Sequence, residues 1–140
     1  MRRNLGLPAA ALCLFLSAVP VVAHHGFETE YDRNKNVKLT GVVTRIDWTF
    51  PHMRVYVDVT DAKGVVTNWN LEMGTPNDYT RQGWRRNHLL PGEKVVFEAF
   101  GGIVVESRGQ LRSIMKVGET KPIFSGNAPG FDPEKAGALP

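Results

Sequence analysis

The chain has 140 residues, 42% hydrophobic and 22% charged, with a formal net charge of +3. That is the length of one domain, with enough apolar residues for a core and too little net charge for a disordered chain. The single cysteine, Cys13, excludes an intrachain disulfide framework.

Residues 1–23 read as a secretory signal peptide. Met1-Arg2-Arg3-Asn4 is a short positive start, residues 5–19 are apolar, and Val21-Val22-Ala23 offers small or β-branched residues before a cut. The apolar run, broken by Pro8 and Pro20, falls short of the ~20 residues a membrane span needs. Leu12 is too bulky to precede a lipid-modified Cys13. The expected mature chain starts at His24, is periplasmic or secreted, and keeps no transmembrane segment. Loss of Arg2 and Arg3 lowers Lys+Arg from 17 to 15 against Asp+Glu 14, so the net charge drops from +3 to +1. So small a basic excess argues against a nucleic-acid partner. Without Cys13, thiolate catalysis, iron–sulfur clusters and thiolate zinc sites are excluded as well.

Residues 24–36 (HHGFETEYDRNKN) are polar and read as irregular. Residues 37–48 are rich in β-branched side chains, and their apolar parity changes near Gly41, which predicts a bulge or bend in a long first strand. Residues 52–60 alternate cleanly, with Val55, Val57 and Val59 on one face. Ala62-Lys63-Gly64 reads as a three-residue hairpin loop with Gly64 left-handed, returning through residues 65–73 with Trp69 and Leu71 facing inward. Thr75-Pro76-Asn77-Asp78 is a helix start, Thr as N-cap and Pro at the first position, for a helix over 76–84. Residues 94–100 and 111–117 are the fourth and fifth strands. Beyond Gly118 the proline- and glycine-rich stretch reads as a flexible tail, 119–140. Three strands, a helix and two strands make the fold class all-β with one short helix, a five-stranded OB-like β-barrel over residues 24–118. A small open sandwich is the alternative.

Taken together, several motifs carry a resemblance. They are His24-His25-Gly26-Phe27, Leu39-Thr40-Gly41-Val42-Val43, Trp48 with Phe50-Pro51-His52, Trp69 with Glu72, Gly83-Trp84 and Leu90-Pro91-Gly92. The set resembles a family of secreted bacterial proteins classed as a domain of unknown function. Its members begin HHxF after the signal peptide and carry Asn-Pro-His, Trp-x-x-Glu and Gly-Trp motifs. This chain has Phe50 where that family usually has Asn. The resemblance implies secretion and no particular activity.

Chemistry concentrates at the histidines. Cleavage after Ala23 would leave His24 with a free α-amine beside its imidazole, a bidentate grip of the histidine-brace kind. His25 and His52 add imidazoles, and Glu72 an oxygen. Nitrogen ligands of this type favour Cu(II), so copper is the expected cofactor. Each residue also has a plainer reading. His24 and His25 are a solvated end, His52 bonds a backbone carbonyl after Pro51, and Glu72 pairs with Arg54 across the hairpin. His88 lies in a polar loop. Trp48, Trp69 and Trp84 are core or a stacking platform, and Arg81, Arg85 and Arg86 form a basic patch. No catalytic triad, paired-carboxylate site or phosphate loop is visible, and neither Ser107 nor Ser113 has a flanking nucleophile motif. The expectation is a copper-binding or copper-handling protein without intrinsic catalysis. A binding module for a protein or carbohydrate partner is the alternative, and a metal-dependent enzyme comes third.

Overall fold

The computed structural model describes residues 26–125. Helix α1, Phe27–Glu30, leads directly into β1, Tyr31–Asp47, followed by β2, Arg54–Thr60, and β3, Val66–Glu72. Helix α2, Pro76–Arg81, precedes β4, Lys94–Gly102, β5, Arg108–Lys116, and a two-residue β6, Phe124–Ser125. The fold is mostly β with two short helices. The strands form one sheet in the order β3-β2-β1-β4-β5-β6, and β3 also pairs in parallel with β5.

The first strand is longer than its apolar pattern suggested. Residues 31–36, expected to be irregular, are strand, because β4 offers them a backbone partner: Tyr31 lies opposite Gly102 and Asn36 opposite Phe100. The side chains that follow Tyr31 there are polar and exposed or half-buried, so composition hides the strand while hydrogen bonding makes it. The change of parity lies at Thr44, not at Gly41: the β1–β2 register shifts between Val43 and Arg45. Val43 is buried before the shift, and Ile46 and Trp48 pack on the core after it. Gly41 serves a different need. A Cβ there would strike the carbonyl oxygen of Asp58 and the side chain of Val57.

The β2–β3 hairpin forms as its sequence dictates. Arg54 lies opposite Glu72 and Thr60 opposite Val66. Gly64 takes φ 82°, and Asp61 Oδ1 accepts the N–H groups of Lys63 and Val65 at 2.8 and 2.9 Å. Thr75 caps α2 by accepting the Asp78 N–H at 3.3 Å. The helix stops at Arg81, three residues short of the expected end. Gly83, at φ 92°, turns the chain so that Trp84 drops into the core.

Val55, Val57, Leu71, Val95, Phe97 and Ile114 are fully buried at the centre. Trp69, expected to be buried with them, is half-buried and lies against Phe97 at a ring distance of 5.8 Å. The reason is its place: β5 pairs with β3 only from Asn70 onward, so among the described residues no paired strand flanks Trp69 on that side. The domain also runs past Gly118. Ile123 packs on the core and its carbonyl accepts the Trp84 Nε1–H at 2.6 Å. Residues 124 and 125 then pair with β5. Residues 1–25 and 126–140, which hold the expected signal peptide and most of the expected tail, lie outside the described residues.

Two outcomes follow from the packing. Leu71→Ala is expected to lower unfolding free energy by about 2–5 kcal/mol, and Gly41→Ala by about 1–3 kcal/mol through overpacking against β2. Urea unfolding measures both. A third concerns Glu93, whose carboxyl is held below its ordinary range. The causes are the hydrogen bond from Lys116, opposed by partial burial, and the Leu90 N–H. A depressed carboxylate stabilises the fold above its unfolded value and loses that contribution as pH falls through the folded one. Glu93→Gln should therefore flatten the loss of stability below about pH 4.5, read from melting temperatures across an acid series.

Candidate functional site

The outer faces of β2, β3 and β5 meet at one carboxylate. Register places Arg54 directly opposite Glu72, and the parallel pairing places Gln110 beside it, with Arg108 beside Asn70. Arg54 Nη2 donates to Glu72 Oε2 at 2.6 Å, and the Tyr31 hydroxyl donates to the same oxygen at 3.0 Å. Arg108 Nη2 lies 3.6 Å from that oxygen and 2.9 Å from Glu30 Oε2. Arg54 Nη1 donates to Asn70 Oδ1 at 3.0 Å. The Glu72 side chain is only 13% exposed, so its charge is compensated by two guanidinium groups in a partly desolvated place.

Helix α1 joins the cluster through Glu30 and through aromatic contacts. Phe27 meets Tyr31 and Phe100 at ring distances of 5.8 and 5.6 Å, with the Arg33 guanidinium 4.3 Å from the Phe27 ring centre. The first turn of described chain is therefore fastened at the end of the sheet that holds Glu72. Burial, then the Glu72 charge, raises the Tyr31 hydroxyl well above its ordinary range. Burial works to lower the Arg108 value, but Tyr31, Glu30 and Glu72 outweigh it and raise the whole.

His52 sits at the edge of this cluster. Its Nδ1 lies 3.1 Å from the Met73 carbonyl and 3.9 Å from Glu72 Oε1. A carbonyl only accepts, so in the neutral ring Nδ1 carries the proton and Nε2 carries the lone pair. The side chain is 39% exposed. His52 and Glu72 thus lie at one end of the hairpin, and the His52–carbonyl bond and the Arg54–Glu72 pair read from the sequence are both present. Glu72 Oε1 is the oxygen that Arg54 and Tyr31 leave alone. His24 and His25 lie outside the described residues. Among the described residues no three His, Cys, Asp or Glu side chains converge as a metal site. His88 is exposed in its loop.

The three tryptophans do not share a platform. Trp84 is buried, with Trp48 5.8 Å away, whereas Trp69 lies against Phe97. Arg86 lies over Trp48, its guanidinium carbon 5.3 Å from the ring centre, and Arg81 pairs with Asp78.

Tyr31, Glu30 and Arg108 were not anticipated. Tyr31 fell in the stretch read as irregular, and Arg108 between the expected fourth and fifth strands. A signal for the second existed: Arg108, Gln110 and Arg112 alternate with Gly109 and Leu111, extending the outer parity of the fifth strand backward. Among the described residues no helix is long and apolar enough to cross a membrane.

Fold and site together define a small, mostly β protein whose strands meet over a partly buried carboxylate, with a half-buried histidine beside it. The chain belongs to a family of unknown function, DUF6152, whose model matches residues 12–111. No curated protein and no solved structure matches it.

Removing the carboxylate should strand two cationic groups. Glu72→Ala is expected to cost about 1–3 kcal/mol, whereas Arg81→Ala, which breaks an exposed pair, should cost under about 0.5 kcal/mol. Chemical denaturation of the two variants side by side checks the contrast.

Proposed function

We propose that this chain is a secreted, periplasmic OB-like β-barrel protein that binds or handles copper through a processed N-terminus at His24, without intrinsic catalysis. The barrel reading is supported by the pairings β1–β2, β2–β3, β3–β5, β5–β4 and β4–β1, which form a ring, and by the helix between β3 and β4. The copper reading is carried by one observation: His52 Nδ1 is bound to the Met73 carbonyl. That bond fixes the ring and leaves Nε2 as the donor atom, the usual second-shell arrangement for a metal-binding imidazole. The docking of α1 near Glu72 adds support, because it fastens the chain only a few residues after His24 at the same end of the sheet.

In this reading the His24 α-amine and ring, His25 and His52 supply nitrogen, and Glu72 Oε1 supplies an oxygen or a nearby negative charge. Nitrogen-rich sites prefer Cu(II) to Zn(II). Binding weakens as the solution is acidified, because a protonated imidazole has no lone pair to donate.

Intact mass of the exported protein tests the processing, with a chain starting at His24 expected. A competitive copper titration tests the site. One residue added before His24 should weaken binding at least tenfold by displacing the amine, and His52→Ala should weaken it similarly. His88→Ala should leave it unchanged. Equal affinity in all four proteins would overturn the reading.

A further inference from the structure

The β2–β3 ladder leaves part of a strand edge open. The Asp61 N–H donates to the Val65 carbonyl at 2.9 Å, which makes Asp61 and Val65 a hydrogen-bonded pair. Antiparallel pairing alternates, so Val59 with Thr67 and Val57 with Trp69 are the next such pairs. Val66, Asn68, Asn70 and Glu72 then direct their backbone N–H and C=O away from β2. The Asn70 N–H duly meets the Ser107 carbonyl at 2.9 Å. Parallel pairing with β5 covers residues 70–72 and stops. The outward backbone groups of Val66 and Asn68 therefore have no strand partner among the described residues.

A groove of about 450 Å³ adjoins this edge, lined by Val59, Asp61, Thr67, Trp69, Glu106 and Ser107. Its apolar floor is the half-buried Trp69, propped on Phe97. Its two ionisable lining residues, Asp61 and Glu106, are both acidic, and Asp61 is held in place by the turn N–H groups it accepts. The β4–β5 loop that contributes Glu106 also presents Ile103, Val104 and Val105 to solvent, Val104 at 86% exposure. An open edge of this kind invites another strand, and residues 66–69 (VTNW) contain none of the lysine or proline that usually guards one.

We propose that an extended, basic segment of a partner protein docks here as an added strand. Its backbone bonds to Val66 and Asn68, and the lysines or arginines on its groove-facing side lay their apolar stems over Trp69 and turn their charges to Asp61 and Glu106, while the alternate residues face the other side of the sheet. Main-chain bonds supply the generic attraction of such a mode and side-chain pockets supply the selection. The proposal gives the binding-module expectation a place and a ligand chemistry. It uses none of the residues of the copper reading, so each stands or falls alone.

The probe is a blocked decapeptide of alternating lysine and valine, titrated into the purified full chain while backbone amide and indole NMR signals are followed. The amides of Val66 and Asn68 and the Trp69 indole should shift. Successive amides of a strand point to opposite sides. Two N-methylated versions, blocked on one or the other alternate set, should therefore differ: one should lose binding at least tenfold and the other keep it. A glutamate–valine version, or Glu106→Lys in the protein, should weaken binding by a similar factor. No binding by the lysine–valine peptide, shifts elsewhere than this edge, or equal binding by both methylated peptides would overturn the proposal. Because methylation alters the probe and not the protein, a misfolded variant cannot produce the result.

Discussion

One carboxylate oxygen holds five elements together. Glu72 Oε2 stands within ion-pair or hydrogen-bond distance of Arg54 on β2, Tyr31 at the head of β1 and Arg108 at the head of β5. Arg108 passes the connection on to Glu30 in α1. The cost of desolvating such a cluster is large, and its attraction offsets that cost only when every partner is in place. The constraint therefore runs outward from Glu72: β3 must lie beside β5, and β1 must extend back to Tyr31 for the hydroxyl to reach. Helix α1 must also fold against Phe100. Composition alone makes residues 24–36 look dispensable, yet Tyr31 and Glu30 are fastened to the centre of the molecule.

This explains which parts of the structure were readable beforehand. The alternation and the turn of the β2–β3 hairpin were legible, because they depend on local sequence and on one glycine at a left-handed position, although both strands were expected to run a residue or two longer. The cap of α2 was legible for the same reason: Thr75, Pro76 and Asp78 act within one turn. The start of β1 was not, because its partner, β4, is remote in sequence and its own side chains are polar. Thr44 as the place of the register shift was hidden as well. Gly41 drew attention as a plausible bulge, whereas its actual role, close approach to Asp58, depends on a neighbouring strand. Trp69 shows the same limit. Its parity is that of the core, but its exposure depends on where β5 stops pairing.

The candidate site divides along the same line. His52 and Glu72 lie near the open end of one expected hairpin, and a pair between Arg54 and Glu72 was one plain reading of the sequence. Arg108 and Tyr31 reach Glu72 through pairings that no short window of sequence contains. Their presence changes how Glu72 is read. A carboxylate already shared by two arginines and a tyrosine is a structural hub first, and any metal chemistry beside it rests mainly on nitrogen from histidine.

The hub also has a history in time. The β2–β3 hairpin closes a short loop and can form early, whereas Tyr31 with Gly102 and Asn70 with Arg108 join segments far apart in the chain. Closing long loops is slow because their entropy is lost before the contacts form. The Tyr31–Glu72 bond spans 41 positions and needs both long-range pairings in place. Its sequence separation makes it a contact expected to form late as the chain condenses. A substitution confined to this cluster would act chiefly on how fast the molecule comes apart and little on how fast it assembles.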